Sequence, residues 1–425
     1  MSKVITTIRN AWRIKDLRSK ILFTLFILVI YRLGAQIPVP FIDTDMLDTL
    51  NASANTGLLQ YLNIFSGEAF SRATLFALSI SPYITSSIVM QLLCVAIPAL
   101  ERMSKEEDGK KKINKITRFV TAALSLVTAI GYYFYLQQNG LVNYIGSSSG
   151  MKFFTAVVVI ACYCAGAALI MWLGEKITEN GIGNGISMIL FANIISSIPG
   201  MVGTLATLVW WQIIIVLVGI VALVLFIVFI NDAERRIPIQ YAKRVVGRKV
   251  YGGQNTNLPI KVAMSGVMPI IFAQSICSLP ATICAFTGKT SGWWYDHVWS
   301  SSSWIYAVIY FIMIFFFSWF YSTIQYDTVE ISNNLKSNGG FIPGFRPGKP
   351  TADFIQKVIN KIIVFGSVYL GIVALLPIIA GNLMEGVKNL AIGGTSVIIV
   401  VGVALETVKA LEAQMLMRHY KGFLD

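Results

Sequence analysis

The sequence predicts an all-α polytopic membrane protein with ten transmembrane helices, and three observations support this. Of the 425 residues, 55% are hydrophobic and 13% are charged, whereas a soluble domain carries about 25% charged residues. Ten apolar segments are candidate spans, and the basic residues alternate between the two sides of them. The spans are predicted at about 21–37, 73–98, 117–137, 153–173, 184–199, 211–230, 262–284, 304–325, 359–380 and 393–410.

The basic residues also predict the orientation. Cytoplasmic loops of membrane proteins are enriched in Lys and Arg, and 29 of the 34 basic residues fall on one side of the predicted spans. Segment 1–20, which is basic and amphipathic, and the tail 411–425 are therefore predicted to be cytoplasmic. The uncharged external hinge loop 200–210 divides the chain into halves 21–199 and 211–410. Each half has five spans, so if the halves are structural repeats, they are inverted repeats.

The residues that precede the second predicted span form an unusual pattern. The apolar run 58–65 is too short to cross a bilayer, and a Ser66–Gly67 break follows it. Span 73–98 then carries Pro82 and many hydroxyl side chains, which favour contact with protein or water over lipid. Two interpretations stay open, namely a re-entrant half-helix before a pore-lining helix, or a short interfacial helix before an ordinary kinked span.

Ionisable side chains are absent from the middle of all ten predicted spans. Ion-coupled transporters commonly place carboxylates at that depth, so this absence argues against a secondary transporter. Spans 184–199, 262–284 and 393–410 pair small or polar starts with aliphatic runs. If they converge with the second span, an apolar constriction that gates by excluding water results; alternatively, each aliphatic residue faces lipid or a neighbouring helix. The candidate constriction residues are Ile80, Ile84, Ile186, Leu190, Ile271 and Ile399.

Two cytoplasmic loops are long for simple connectors. Loop 231–261 has alternating residues around Val245–Tyr251 and a Gly-Gly turn, which predict a hairpin. Loop 326–358 is rich in proline and glycine, which predicts a stiff shape, and Arg346 lies in it between Phe345 and Pro347. Positive-inside charge alone would explain the sign of these loops but not their length. We therefore expect docking to RNA phosphates, an acidic protein face or anionic lipid.

Features of an enzyme are lacking in the sequence. It has no P-loop motif, its carboxylates are scattered, and its two histidines, His297 and His419, are too far apart for a metal site. The five cysteines lie in apolar runs, which predicts buried thiols and no disulfides. We expect no catalytic residue, cofactor or metal. A passive channel is favoured over a solute transporter, and a membrane enzyme ranks last.

Five motifs carry a family resemblance across the chain: NIFSGEAFSRATLFALSISPYITSSIVMQLL, GEKITENGIGNGISMI, ERRIPIQYAKR, LKSNGGFIPGFRPGKPTADFI and LEAQMLMRHYKGF. With these motifs the chain resembles the SecY family, the channel subunits of bacterial Sec translocons. The resemblance implies a clamshell of two five-helix halves around an hourglass pore, in the bacterial plasma membrane.

The resemblance also implies roles for particular residues. The constriction residues named above become a pore ring, whose last member is Ile399 or the adjacent Ile398. The short helix at about 57–70 becomes a plug, with Leu58, Leu59, Tyr61, Leu62, Ile64, Phe65 and Gly67. Spans two, three, seven and eight form a lateral gate, with Ser87, Gln91 and Gln274 as gate contacts. The docking residues are Arg244, Arg248, Lys249 and Arg346.

The implied function is a passive channel for unfolded secretory polypeptides that also releases transmembrane segments sideways into lipid. Because the chain has no nucleotide site of its own, the energy is expected from the SecA motor ATPase or the translating ribosome. Other implied partners are the SecE and SecG subunits, ribosomal RNA at the cytoplasmic loops, signal peptides and nascent chains, and membrane lipids.

Overall fold

A helix occupies each of the ten predicted spans in the computed structural model. The structure describes residues 12, 14–43, 66–144, 148–206, 209–241, 244–246, 249–251, 255–263, 266–286, 293, 295–299, 303–383 and 394–421. The helices are α1 Lys15–Gly34, α2 Ser81–Ala96, α3 Pro98–Lys105, α4 Glu107–Gln138, α5 Ser149–Asn180, α6 Gly185–Ser196, α7 Ile198–Leu205, α8 Trp210–Asp232, α9 Met268–Phe286, α10 Trp304–Gln325, α11 Thr328–Ser337, α12 Lys349–Leu383 and α13 Gly394–Lys421.

The helices differ in how well each would cross a bilayer alone. Within the described residues, five are long and apolar enough, and the bent pair α2–α3 would make a sixth. Helix α6 has 12 residues and is therefore about 18 Å long, against a hydrocarbon core of about 30 Å. Helices of this kind depend on their neighbours for a place in the membrane.

The second span starts later than the sequence predicted. Residues 66–80 form turns, and α2 begins only at Ser81. Pro82 lies in the first turn of α2, where a missing N–H costs nothing because that donor has no partner inside the helix. The prediction of a continuous span over 73–98, with Pro82 near its middle, is wrong because the proline starts the helix. Ala73 and Ser79 both have positive φ angles, which interrupt any helix before it.

Helix α2 ends at a second proline. Ile97 is extended, with φ −110° and ψ 111°, as the residue before a proline usually is. Pro98 then opens α3, and the chain turns by 109° between the two helices. The remaining basic loop is short because α4 begins at Glu107, well before the predicted start of the third span.

Helices α5 and α6 approach each other through glycine, as the glycine-led start of the fifth span predicted. A Cβ atom at Gly185 would lie 1.9 Å from the carbonyl oxygen of Gly174. Gly183 has a φ of +71°, a left-handed conformation that glycine adopts without strain. The two helices can pack this closely only because Gly185 has no side chain.

Gly185→Ala should therefore destabilise the protein strongly. The added methyl group collides with backbone and forces α5 and α6 apart, which costs about 1–3 kcal/mol or more. The matched control is Gly174→Ala, whose Cβ would meet the Ile189 side chain at an ordinary 3.5 Å. We expect a lower midpoint of thermal unfolding in detergent for Gly185→Ala and little change for Gly174→Ala; equal midpoints would contradict the close approach.

The first cytoplasmic loop forms β-strands, so the fold is not purely helical. The strands are β1 Glu234–Tyr241, β2 Arg244–Val246, β3 Lys249–Tyr251 and β4 Asn255–Lys261. Strands β2 and β3 pair as an antiparallel hairpin with Val245 opposite Val250, which confirms the predicted hairpin. Residues 247–248 separate β2 from β3, whereas Gly252 and Gly253 lie between β3 and β4; both pairs are outside the described residues.

The two long loops, 231–261 and 326–358, join in one sheet. Strand β5, Gly340–Phe341, comes from the second loop and pairs with β1, placing Phe341 opposite Gln240 and Gly340 opposite Tyr241. The sheet order is β4-β1-β5. In segment 326–358, α11 and the start of α12 occupy most of the residues. Only 326–327 and 338–348 lie outside these helices, and β5 takes two residues of the second stretch.

The segment between the halves also differs from its prediction. Residues 200–210 were expected to be an external loop, but Ile198–Leu205 is helical. Because this stretch has no charge and few strong helix breakers, nothing in it prevents α7 from continuing the path of α6. A connection remains only at about 206–209.

One apolar core joins the two halves. Its buried members come from the first-half helices α1, α2, α5 and α6 and from the second-half helices α8, α9, α10, α12 and α13. A separate cluster lies in the first half around Tyr132 and Tyr163, and another lies beneath the cytoplasmic sheet. All five cysteines are free thiols, of which Cys277 is buried and the other four are half-buried.

Candidate pore, gate and docking surface

Five of the six candidate ring residues belong to the core that the halves share, and the sixth, Ile186, packs against it. Five of them are at most 8% exposed, and Ile186 is half-buried. The structure thus brings together residues from four separate segments of the chain. The adjacent Ile398 is buried in the same core.

Local structure explains how the first-half members meet. Ile80 is the residue that precedes α2, and Ile84 follows one helical turn later. Ile186 and Leu190 are likewise one turn apart on α6. The Cδ1 atom of Ile80 and the Cγ1 atom of Ile186 both lie 3.8 Å from the position that a Cβ on Gly174 would take. The side chains of Ile80 and Ile186 therefore converge on the same point of α5.

The helices of the predicted lateral gate are in contact. Helix α9 packs against α2, α4 and α10. Gln274 on α9 is buried at 7% exposure, whereas Ser87 on α2 is half-buried and Gln91 is exposed. The Gln91 Nε2 atom donates to the Ser87 Oγ atom over 3.4 Å. Exposure thus increases from Gln274 through Ser87 to Gln91, and α9 of the second half contacts α2 and α4 of the first half.

The predicted plug is described only at its end. Leu58, Leu59, Tyr61, Leu62, Ile64 and Phe65 lie outside the described residues. Gly67 has a φ of +62°, and its carbonyl oxygen accepts a hydrogen bond from the Arg32 guanidinium at 3.3 Å. The Ser66 hydroxyl oxygen accepts from the Phe70 N–H at 3.0 Å. The break predicted at Ser66–Gly67 is therefore a turn fixed to the end of α1.

The tip of the second cytoplasmic loop is held in place around Arg346. The Thr351 hydroxyl donates to the Arg346 carbonyl oxygen at 2.8 Å. The Ser332 hydroxyl, on α11, donates to the Gly348 carbonyl oxygen at 2.8 Å. The Phe345 ring stacks on Phe354 with centroids 4.2 Å apart. Because its backbone is tied on both sides and its side chain is exposed, Arg346 is presented outward from a rigid support.

The other predicted docking residues lie in the β2–β3 hairpin. Arg244 begins β2 and pairs with Tyr251, and Lys249 begins β3 and pairs with Val246. Arg248 lies outside the described residues. The sheet β4-β1-β5 links the loop that carries Arg346 to the loop that carries the hairpin, while β2 and β3 form a separate two-stranded sheet.

The sequence analysis missed a polar cluster beside the ring. Tyr31, Ser79 and Asn193 are all buried, and Asn193 donates to Ser79. The prediction for the middle of the spans rested on charged side chains, and the amide of Asn193 carries no charge. The signal was an asparagine inside the aliphatic run LFANII, which lipid alone does not favour.

Together, the fold and the site define a multi-pass helical membrane protein whose two halves share one apolar core and whose two long basic loops are joined by one β-sheet. A family model described as SecY matches residues 74–408. The protein translocase subunit SecY of Streptomyces galbus is 42% identical over 99% of this chain and its own full length. The chain therefore belongs to the SecY family.

Solved structures support the same fold. One described as a protein conducting channel has a TM-score of 0.65 and 18% identity, covering 93% of this chain and 92% of its own. Sec61 in the canine ribosome-channel complex has a TM-score of 0.62 and 17% identity, with the same coverage. At these identities the similarity concerns the fold.

Proposed function

We propose that this chain is the channel subunit of a bacterial plasma-membrane translocon. Unfolded secretory polypeptides pass through the apolar waist, and hydrophobic segments leave sideways between α2–α4 and α9–α10. The observation that supports the proposal is that five of the six candidate ring residues, drawn from both halves, are buried in one apolar core against which Ile186 packs. Flexible aliphatic side chains can surround many sequences without binding any of them, while they exclude hydrated ions.

The proposed organisation has cytoplasmic termini and two inverted halves, 21–199 and 211–410. The distribution of basic residues supports this orientation. The plug at 57–70 then closes the outer side of the waist. A signal sequence opens the gate only through its greater affinity for the open state, which burial of its apolar side chains supplies at about 25 cal/mol per Å².

The chain works with partners and not as an enzyme. The β2–β3 hairpin, with Arg244, Arg248 and Lys249, and the Arg346 tip form the proposed docking surface for the SecA motor and for the ribosome, including its RNA. Their basic side chains suit phosphates and acidic protein faces. SecE and SecG are the proposed membrane partners, and the energy for transport comes from SecA or from translation.

A stalled secretory chain should cross-link to the waist. In the variants Ile84→Cys and Ile186→Cys, we expect the new cysteine to react with a cross-linking probe that is attached to the middle of the stalled secretory chain. The control is Val218→Cys on α8, which is 64% exposed on the surface that would face lipid. Each variant is compared with the parent, which carries the five native thiols. Equal labelling at Ile84 and Val218 would contradict passage through the waist.

A further inference from the structure

A polar cluster lies within the apolar core next to the ring. Tyr31 on α1, Ser79 before α2 and Asn193 on α6 are 0%, 4% and 0% exposed. The Asn193 Nδ2 atom donates to the Ser79 Oγ atom over 3.4 Å. The Tyr31 hydroxyl faces both side chains without reaching hydrogen-bond geometry with a described group. Polar groups at membrane depth are costly unless paired, so their presence there points to a role.

The backbone of Ser79 gives independent evidence that its hydroxyl matters. Its φ is +51°, a left-handed conformation that is unfavourable for an L-residue because its Cβ comes too close to the following carbonyl oxygen. Glycine would adopt the same conformation without that cost. A strained serine held at this position by its surroundings is the kind of outlier that occurs at functional sites.

The cluster is directly connected to the waist. Ser79 immediately precedes Ile80, and Asn193 lies three residues after Leu190, about one helical turn further along α6. Asn193 also faces the turn at Gly67, because a Cβ there would lie 3.0 Å from its Oδ1 atom. One asparagine therefore joins the segment that leads into α2 to the helix that carries two ring residues.

We propose that Ser79 and Asn193 are positioning residues for the waist, and that their hydrogen bond holds Ile80 and Leu190 in the closed arrangement. This inference rests on the proposed function, since it assigns a task to two residues beside the proposed ring. Without the bond, the strained turn before α2 and the short helix α6 move independently, and the aliphatic side chains no longer close against each other.

Ser79→Gly tests the proposal because it separates closure from stability. Glycine relieves the backbone strain while removing the hydroxyl. We expect an unchanged or higher midpoint of thermal unfolding, together with a resting ion conductance in planar bilayers that rises about tenfold, as for a barrier lowered by about 1.4 kcal/mol. Asn193→Leu should raise the conductance similarly. The double variant should leak no more than either single one, because both remove the same bond.

The matched control is Ser367→Ala on α12. Its hydroxyl is fully buried and donates to the Ile363 carbonyl oxygen of its own helix at 2.7 Å, so the control loses a buried hydroxyl away from the ring. Its conductance should equal that of the parent. The proposal is overturned if Ser79→Gly does not leak, or leaks only with a fall in the unfolding midpoint. If the double ring variant described below leaks while Ser79→Gly does not, the waist stands and the positioning role fails; if neither leaks, both fail.

Discussion

Replacing Ile84 and Ile271 together by serine should make resting membranes leak ions. These two residues lie on α2 and α9, so the pair removes apolar side chains from both halves of the waist. Hydroxyl groups hold water, and a hydrated constriction no longer excludes small ions by dewetting. We expect the resting conductance of reconstituted channels in planar bilayers to rise about tenfold or more, equivalent to lowering the ion barrier by at least about 1.4 kcal/mol.

The control for the ring variant has to lose as much packing without touching the waist. Ile355 and Ile359 on α12 are 0% and 1% exposed and belong to the separate cluster beneath the β-sheet. The pair Ile355→Ser and Ile359→Ser therefore creates comparable buried polar groups away from the ring. We expect it to lower thermal stability while the conductance stays at the parent value. Conductance that rises equally in both double variants would mean that the leak reports general loosening of the core.

The spans were predictable because hydropathy is summed over many residues. Helix α10 lies at Trp304–Gln325, where the sequence predicted it, since its apolar run is continuous. The second span was mispredicted because a single residue, Pro82, has opposite effects at a helix start and in a helix interior. Hydropathy does not distinguish a proline at a helix start from a proline in a helix interior. The positive φ angle of Ser79 does, because it shows that no helix precedes Pro82.

Pairing between distant segments was the least predictable feature. Strand β5 has two residues, and Gly340–Phe341 carries no pattern that separates it from a turn. Its partner β1 lies about 100 residues earlier, so only the folded chain shows that both cytoplasmic loops share one sheet. The Asn193–Ser79 contact was hidden for the same reason: each residue is unremarkable in its own segment, and only their contact shows a polar group paired at depth.

Arg346→Glu should cripple motor-driven translocation while leaving the protein folded and inserted. The Arg346 side chain is exposed, so reversing its charge breaks no internal ion pair in the described structure. Its backbone stays fixed by Thr351, Ser332 and the Phe345–Phe354 stack. Charge reversal at a complementary interface opposes the partner; we expect the affinity for SecA to fall about tenfold to a hundredfold, by about 1.4–2.8 kcal/mol. Binding to SecA and protease protection of a secretory substrate measure the two effects.

A matched reversal separates a specific contact from general loss of positive charge. Lys357 is exposed on α12 and belongs to the same cytoplasmic region, but it lies outside the braced tip. Lys357→Glu changes the net charge by the same amount, so any long-range steering effect is shared by both variants and weakens with salt. A rigid tip that contacts the motor predicts a deficit for Arg346→Glu that persists at high salt. If the two variants lose translocation equally, the loop contributes charge alone, and the bracing of Arg346 has no part in docking.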